Sequence, residues 1–212
     1  MTDTKQSKIQ SKIQRKNRQK IMDAALEVFS TYGFRGSTIE QIAKAAEMSK
    51  SSVFYYFSSK TEIYVELLSE TLQEWLEPLT QLDPKGDPAL EIWAYVERKI
   101  DLSRLRPRES RLFANEILHG APNIMDILTG ELKDLIDEKC AVIQTWIDQG
   151  RLASVSPYHL IFMIWGSTQH YADFEVQVGT LVGDDRDQCF VDAHQTLKTI
   201  FLNGLNPLQN QH

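Results

Sequence analysis

The sequence predicts an all-α protein of about nine helices, with a short N-terminal helix-turn-helix domain followed by a larger helical body. Apolar residues recur at spacings of three and four, as on one face of an α-helix. No segment alternates apolar and polar residues as a half-buried strand does. Two helix-start signals also lie close together near residues 37 and 49, whereas the later helical patterns are long. Two short helices before several long ones indicate two functional parts.

The helix-turn-helix is predicted at residues 18–64, behind a polar basic arm at residues 1–17. Its first helix is expected to end at Gly33, because glycine readily adopts the left-handed conformation that ends helices. Ser37, with Glu40 three residues later, predicts a capping box for the second helix. Ser49 is the predicted N-cap of the third helix, which runs to about Phe57.

The body is predicted at residues 65–212 and consists of amphipathic helices separated by proline, glycine and capping signals. The predicted helices run from Ser59 toward Pro78, from Asp87 to about Arg104, from Pro107 to Gly120, from Pro122 to Gly150, from Ser156 to Gln177, and from Asp185 to Leu205. Pro78 is expected to kink or end its helix, because proline lacks the amide hydrogen.

Charge is distributed unevenly along the chain. Residues 1–60 hold 11 Lys or Arg against 5 Asp or Glu, whereas the remainder holds 12 basic and 24 acidic residues. A basic head on an acidic body indicates that the head binds a polyanion, since Lys and Arg near phosphates release condensed counterions. A solvated basic tail without a partner is the alternative that charge alone leaves open.

Several other classes of protein are disfavoured. The sequence contains no GxGxxG, P-loop, GxSxG or HExxH motif, so no enzyme and no cofactor are predicted. Cys140 and Cys189 stand apart from each other and from histidine clusters, so no metal site or disulfide framework is expected. The polar N-terminus and the short apolar runs predict a cytoplasmic protein without membrane contact.

The third helix is unusual for a simple surface helix. Its first turn contains Lys50, Ser51 and Ser52, whose short donors can reach base edges or phosphates. The second half of the helix contains Val53 followed by four bulky aromatic residues. We expect Val53, Phe54 and Phe57 to face inward and Tyr55 and Tyr56 to face outward. An isolated Tyr-Tyr pair that simply packs between helices is the alternative.

The stretch from about Arg18 to Leu68 resembles the TetR family of regulators. The matching positions are Phe29, Gly33, Thr38, Ile42, Ala43, Ser49, Tyr56, Phe57, Lys60 and Glu62, and the segment Tyr-Tyr-Phe-Ser-Ser-Lys is the most specific part. The resemblance implies double-stranded operator DNA as a partner. It implies phosphate contacts by Thr38, Tyr55, Tyr56 and Lys60, and base contacts by Lys50, Ser51 and Ser52.

Two residues depart from the family pattern. Glu47 stands in the turn where the family usually has a glycine, so this turn is expected to carry some strain. Glu40 places a carboxylate where related proteins reach DNA, and we expect it to serve in the capping box.

The resemblance also implies a role for the body. In this family the last two helices form a four-helix bundle in a homodimer, and the body encloses a small-molecule cavity whose occupant releases the operator. Residues 90–178 resemble the pyrimidine-utilisation regulators of the family, which implies uracil or thymine as the ligand. The matching runs include residues 111–113, 120–122, 128–130, 135–139, 159–165 and 167–174. Two alternatives remain open: a member of the family with a different ligand, and a ligand-independent DNA-binding protein whose body only dimerises.

Two of the candidate ligand-binding residues share a helix face. Trp165 and Gln169 are four residues apart, which places a flat apolar ring beside an amide with a donor and an acceptor. A planar pyrimidine dione needs this combination, and Trp75 is expected to supply a second wall. The alternatives are that the tryptophans are ordinary core residues and that Gln169 lies in the dimer interface.

Overall fold

The computed structural model describes residues 3–183 and 185–207, and within these ranges it contains α-helices and no β-strand, as predicted. The helices are α1 (Asp3–Gly36), α2 (Ile39–Ala45), α3 (Lys50–Tyr56), α4 (Lys60–Thr80), α5 (Pro88–Leu105), α6 (Pro107–Leu118), α7 (Met125–Ile127), α8 (Lys133–Asp148), α9 (Pro157–Asp173), α10 (Glu175–Val182) and α11 (Arg186–Gly204). In the described ranges, no helix has the length and apolar character needed to cross a membrane.

The first helix is longer than predicted at both ends. It begins at Asp3, so the segment predicted as a basic arm is helical, apart from residues 1 and 2, which lie outside the described residues. Gly33 does interrupt the helical geometry, with φ 68° and ψ 170°, but helical structure resumes and continues to Gly36. The positive φ explains why a glycine occupies this position, because residues with a Cβ atom are strained in this region of φ and ψ.

The second helix is capped one residue later than predicted. Thr38 accepts a hydrogen bond at 3.2 Å from the backbone amide of Gln41, whose side chain accepts one in return at 2.7 Å from the Thr38 amide. The predicted Ser37–Glu40 capping box is therefore wrong. Ser37 is buried, and its hydroxyl donates to the Gly33 carbonyl at 2.6 Å, which ties the kink of α1 to the start of α2.

The turn and the third helix otherwise follow the prediction. Glu47 has φ 50°, the left-handed conformation expected where a glycine would be easier. Ser49 caps α3 by accepting from the amide of Ser52 at 3.0 Å. The inward position predicted for Phe54 is wrong, because its side chain is 44% exposed whereas Val53 and Phe57 are buried. Successive helical residues point about 100° apart, so Val53 and Phe54 do not share the face that packs on the core.

Two predicted helices of the body are interrupted. The helix expected from Pro122 to Gly150 consists of α7, a π-helical turn at Leu128–Leu132, and α8, because Gly130 leaves helical geometry. The helix expected from Ser156 to Gln177 ends at Asp173, where Phe174 separates α9 from α10. Pro78 lies inside α4, which ends two residues later at Thr80. Residues 208–212 of the predicted body lie outside the described residues.

The buried residues form two clusters. The first joins the three N-terminal helices to α4 and α6 and includes Phe29, Phe57 and Trp75. The second lies among α5, α8, α9 and α11 and includes Trp146. Helix α4 contributes to both clusters, because its last turn places Leu79 in the second one. Helix α4 therefore connects the core of the body to the core of the N-terminal helices, and α6 packs against the same N-terminal core.

The two phenylalanines of the α3 region provide a direct test of this packing. We expect Phe57→Ala to lower the free energy of unfolding by about 3–5 kcal/mol, because removing a buried ring leaves a cavity. Phe54→Ala is the matched control and should change it by less than about 1 kcal/mol. Urea denaturation followed by circular dichroism measures both. Equal losses would contradict the orientation of α3.

Candidate functional site

The first turn of α3 presents a cluster of hydroxyl groups to solvent. The Ser49 hydroxyl oxygen lies 2.9 Å from that of Ser51 and 2.7 Å from that of Ser52. Ser51 is exposed and Ser52 is half-buried. Since each hydroxyl has one donor and two acceptor positions, these contacts leave capacity for a further partner. The cluster holds the side chains predicted to face bases at the exposed start of the helix.

Lys50 and Glu40 form an ion pair at the edge of this cluster. The Lys50 ammonium lies 2.5 Å from a Glu40 carboxylate oxygen, and both side chains are more than half exposed. The hydrogen bond from Lys50 lowers the pKa of Glu40 below its usual value. Glu40 was expected to serve in the capping box, but Gln41 has that role. The carboxylate instead holds the cation that was predicted to reach DNA bases.

The two tyrosines of α3 are both held by α1. Tyr55 is 71% exposed, and its hydroxyl accepts a hydrogen bond at 3.3 Å from the Gln14 side chain. Tyr56 is half-buried, and its hydroxyl accepts from Asn17 at 2.9 Å. A phenol that accepts from an amide still has its own hydrogen to donate. The structure thus keeps both hydroxyls available to a phosphate oxygen while fixing where they lie.

Lys60, at the first position of α4, is more constrained than the sequence indicated. Its ammonium donates to the carbonyls of Phe34 and Ser37, both at 2.7 Å, and lies 4.5 Å from the centre of the Phe34 ring. Two of its three donors are therefore used to join α4 to the connection between α1 and α2. Thr38 is exposed beside this connection.

Phe54 is a candidate contact residue that the sequence prediction missed. Its exposed ring lies near Lys50, whose ammonium is 5.7 Å from the ring centre. An exposed apolar side chain on such a helix can contact the methyl group of thymine in the major groove. The signal in the sequence was four bulky residues in a row, more than one helix face can bury.

The three predicted ligand-binding residues lie in the body on two helices, Trp75 on α4 and the other two on α9. Trp75 is buried on α4, with its ring 5.3 Å from that of Phe113. Trp165 is half-buried on α9 and donates from its indole nitrogen to the Tyr95 hydroxyl at 2.7 Å. Gln169 lies one turn later and is half-buried. Its side-chain amide forms no hydrogen bond with the described residues. The two tryptophans belong to different clusters.

Helix α5 bridges these tryptophans through a residue that was not predicted. Lys99 follows Tyr95 by one turn, is 2% exposed, and places its ammonium 4.3 Å from the centre of the Trp75 ring. Burial lowers the pKa of Lys99 to about 7, although the charge of Asp173 on α9 acts in the opposite direction. The signal available in the sequence was a lysine on the apolar face of α5.

Asp173 completes this interior group. Its carboxylate accepts a hydrogen bond from the buried Ser110 on α6. Burial raises the pKa of Asp173, while Ser110 and the positive charge of Lys99 act to lower it. Contacts among Trp75, Lys99, Ser110 and Asp173 thus bring side chains from α4, α5, α6 and α9 into one interior group.

A separate open cleft of about 890 Å³ lies between the end of α1 and α6. Residues that line it include Tyr32, Arg35, Arg108 and Arg111. Trp75, Trp165 and Gln169 do not line this cleft. This cleft is therefore separate from the group formed by Trp75, Lys99 and Asp173.

Comparison with known proteins places the whole chain among transcriptional regulators. Residues 21–67 match the model described as "Bacterial regulatory proteins, tetR family", and residues 68–208 match "YcdC-like protein, C-terminal region". The chain is 46% identical over 189 residues to the HTH-type transcriptional regulator RutR of Escherichia coli K12, covering 88% of this chain and 89% of RutR. It is 30% identical over 142 residues to the fatty acid metabolism regulator protein of Bacillus subtilis, covering 57% of this chain and 73% of that protein.

Solved structures show the same fold. A transcriptional regulator from Streptomyces coelicolor superposes with a TM-score of 0.65 at 25% identity, covering 89% of this chain and 98% of that one. A TetR-like transcriptional regulator from Rhodococcus superposes with a TM-score of 0.63 at 20% identity, covering 89% and 96%. The N-terminal helix-turn-helix with a helical C-terminal body is thus shared with regulators.

The ion pair between Lys50 and Glu40 generates a prediction about DNA affinity. We expect Glu40→Gln to tighten binding to DNA several-fold, because it removes a negative charge near the phosphates and frees Lys50. Fluorescence polarisation at fixed salt measures the change. The double variant Glu40→Gln/Lys50→Ala is the control, and it should lose most of the gain. A Glu40→Gln protein with unchanged affinity would contradict a role for this pair.

Proposed function

The chain belongs to the TetR family of bacterial regulatory proteins, and on this premise we propose that it is a repressor that binds operator DNA as a homodimer and releases it when uracil or thymine binds the body. Family membership makes it a DNA-binding transcriptional regulator and not an enzyme. The proposal concerns the residues that read DNA, the dimer and the identity of the ligand.

The exposed side of α3 is the proposed reading surface. Lys50, Ser51 and Ser52 face bases in the major groove, where a helix fits and where each base pair has its own pattern of donors and acceptors. Tyr55 and Tyr56 donate to phosphates, supported by the amides of Gln14 and Asn17. Thr38 and Lys60 are the further phosphate contacts of the proposal.

An apolar surface on the last long helices supports the homodimer. Large apolar side chains on α9 and α11 are at least half exposed: Phe162, Met163, Val191 and Ile200. Exposed apolar side chains concentrated on long neighbouring helices are typical of a protein interface. Packing α9 and α11 against the same pair of a second copy forms the four-helix bundle of the proposal.

One observation carries the link between ligand and DNA: Trp75 and Lys60 lie on the same helix, α4. Trp75 is packed among the polar and aromatic groups of the body, and Lys60 is bonded to the connection that precedes α2. A ligand that binds between Trp75 on α4 and the Trp165 and Gln169 side chains on α9 would act on the packing of these two helices. Movement of α4 shifts the reading helices, which changes the fit of the dimer to its operator.

The pyrimidine assignment draws on the resemblance of residues 90–178 to pyrimidine-utilisation regulators and on the chemistry of the interior group. A flat ring with amide edges satisfies both an aromatic wall and polar side chains. A fatty acyl chain, the ligand class that the name of the Bacillus subtilis relative suggests, would leave these buried polar groups without partners.

Thermal unfolding with a panel of ligands tests the sensing proposal. Uracil and thymine should raise Tm and release operator DNA, because a ligand at 100 times its Kd stabilises the folded state by about 2.7 kcal/mol. Purines, aromatic acids and fatty acids serve as comparison ligands. A response to one of these alone would assign a different effector. A protein that binds operator but responds to none would be a ligand-independent DNA binder.

Two lysine variants test the reading surface. Lys50→Ala should reduce discrimination between operator and altered operators, whereas Lys60→Ala should weaken binding to all sequences. Losing one phosphate contact should also reduce the slope of log K against log salt by about 0.9. Titrations at several salt concentrations, well below Tm, separate these effects. If Lys60→Ala lowers stability without changing the slope, Lys60 only joins α4 to the preceding segment.

A further inference from the structure

The open cleft between the end of α1 and α6 contains three arginines, Arg35, Arg108 and Arg111. Two of them belong to the part of the chain after residue 60, where 24 acidic residues face 12 basic ones. A cavity that gathers guanidinium groups is therefore unlike the acidic body around it. Concave surfaces that concentrate positive charge attract anionic ligands.

Helix α6 turns a polar face toward this cleft. Arg108, Arg111, Asn115 and His119 follow one another at spacings of three and four residues, and all four line the cleft. Phe113, on another side of the helix, is buried in the first cluster of apolar residues. The amphipathic pattern of α6 thus separates a core face from a face that can contact a ligand.

The arginines retain donors for such a ligand. Arg35 and Arg108 are exposed, and neither forms an ion pair or a hydrogen bond with the described residues. Arg111 uses its Nη1 atom to donate to Glu175 at 2.6 Å and to the Ala172 carbonyl at 3.2 Å. These bonds orient the guanidinium, and its Nη2 atom has no partner in the described part of the chain. A guanidinium group fits the oxygens of a phosphate in a bidentate manner.

The carboxylates of the cleft do not cancel this charge. Glu116 is buried, and its two oxygens accept from the Tyr64 hydroxyl at 3.1 Å and from the Asn123 amide at 2.7 Å. Glu27 is exposed about two turns before Arg35 on α1, and it forms no ion pair with the described residues. Three guanidinium groups with available donors thus face one carboxylate with available acceptors, which favours an anion in the cleft.

An aromatic ring and an amide lie in the same cleft. Tyr32 is 56% exposed and contacts no other ring among the described residues. Asn115 is exposed, and its side-chain amide makes no hydrogen bond with the described residues. An exposed tyrosine ring is a platform on which a planar base can stack. An amide can pair with the edge of such a base, because it has both donors and an acceptor.

We propose that this cleft binds a nucleoside monophosphate, with the phosphate held by the three arginines and the base stacked on Tyr32 beside Asn115. The volume of about 890 Å³ lies within the usual range for small-molecule sites. The site does not include Trp75, Trp165 or Gln169, so the inference goes beyond the proposed pyrimidine sensor and does not rest on it. Its occupant contacts α1 of the N-terminal part and α6 of the body.

Isothermal titration of the full chain with UMP and with AMP tests the site. Arg35→Gln and Arg108→Gln should each raise the Kd for both nucleotides at least about fivefold, because each removes a charge-assisted contact to the phosphate. Uridine and adenosine, which lack the phosphate, should bind at least about tenfold more weakly than the nucleotides. Binding of the nucleotides should also weaken as the salt concentration rises.

Arg98→Gln is the matched control for charge. Arg98 is an exposed arginine on α5 that does not line the cleft, so its substitution removes the same charge and should leave the Kd for both nucleotides unchanged. Arg35 and Arg108 are exposed as well, so all three variants should keep the wild-type Tm without ligand. An equal loss of affinity in Arg98→Gln would mean that only the total charge matters, and it would overturn the site.

A second variant tests the base. Tyr32→Ala should weaken binding of UMP and AMP at least about fivefold, because it removes the stacking platform, and should leave the Kd for ribose 5-phosphate unchanged. If Tyr32→Ala binds both nucleotides as the wild type does, the cleft recognises only the phosphate, and the assignment of a nucleotide is overturned.

The remaining outcomes separate this inference from the proposed function. Nucleotide binding that depends on Arg35 and Arg108, in a protein that ignores uracil and thymine, supports the inference while the sensor proposal fails. Nucleotide binding that both variants retain in full overturns the inference, whatever the response to uracil. A wild type that binds neither nucleotide also overturns it. If Arg35→Gln then weakens operator binding and lowers its salt dependence, that arginine contacts DNA instead.

Discussion

The structure depends on how α4 is held at its two ends. At its start, Lys60 bonds to carbonyls of the segment before α2, and Arg18 of α1 bonds to Glu66. At its end, Trp75 and Leu79 pack into the interior of the body. Close-packed interiors transmit displacement because they have few voids to absorb it. A helix anchored at both ends therefore couples the interior of the body to the segment that precedes α2.

Polar groups serve two purposes in this molecule. In the N-terminal part, Asn17 orients Tyr56 while leaving its hydroxyl able to donate, so the bond prepares a surface for a partner. In the body, the buried Lys139 of α8 donates to the Thr80 carbonyl at the end of α4. The first kind of bond prepares an exposed surface, and the second joins two helices of the interior.

Local chemistry was enough to predict most helices and the exposed first turn of α3. Ser49 caps α3, Glu47 adopts a left-handed conformation, and Asp87 caps α5 close to the predicted start of that helix. These features depend on one residue and its immediate neighbours, so a linear pattern contains them. Residues 18–68 were enough to indicate the family, because their short motif is characteristic of both the helix-turn-helix fold and DNA binding.

What the sequence determined by itself was therefore the helical architecture, the family, and the exposed first turn of α3 that contains Lys50. Only the tertiary structure decided that Phe54 faces solvent, that Lys60 donates to backbone carbonyls, and that the Lys99 ammonium lies over the Trp75 ring. The physical reason is distance along the chain. Burial and the partners of a charged group depend on helices brought together from distant segments, and no spacing rule records that meeting.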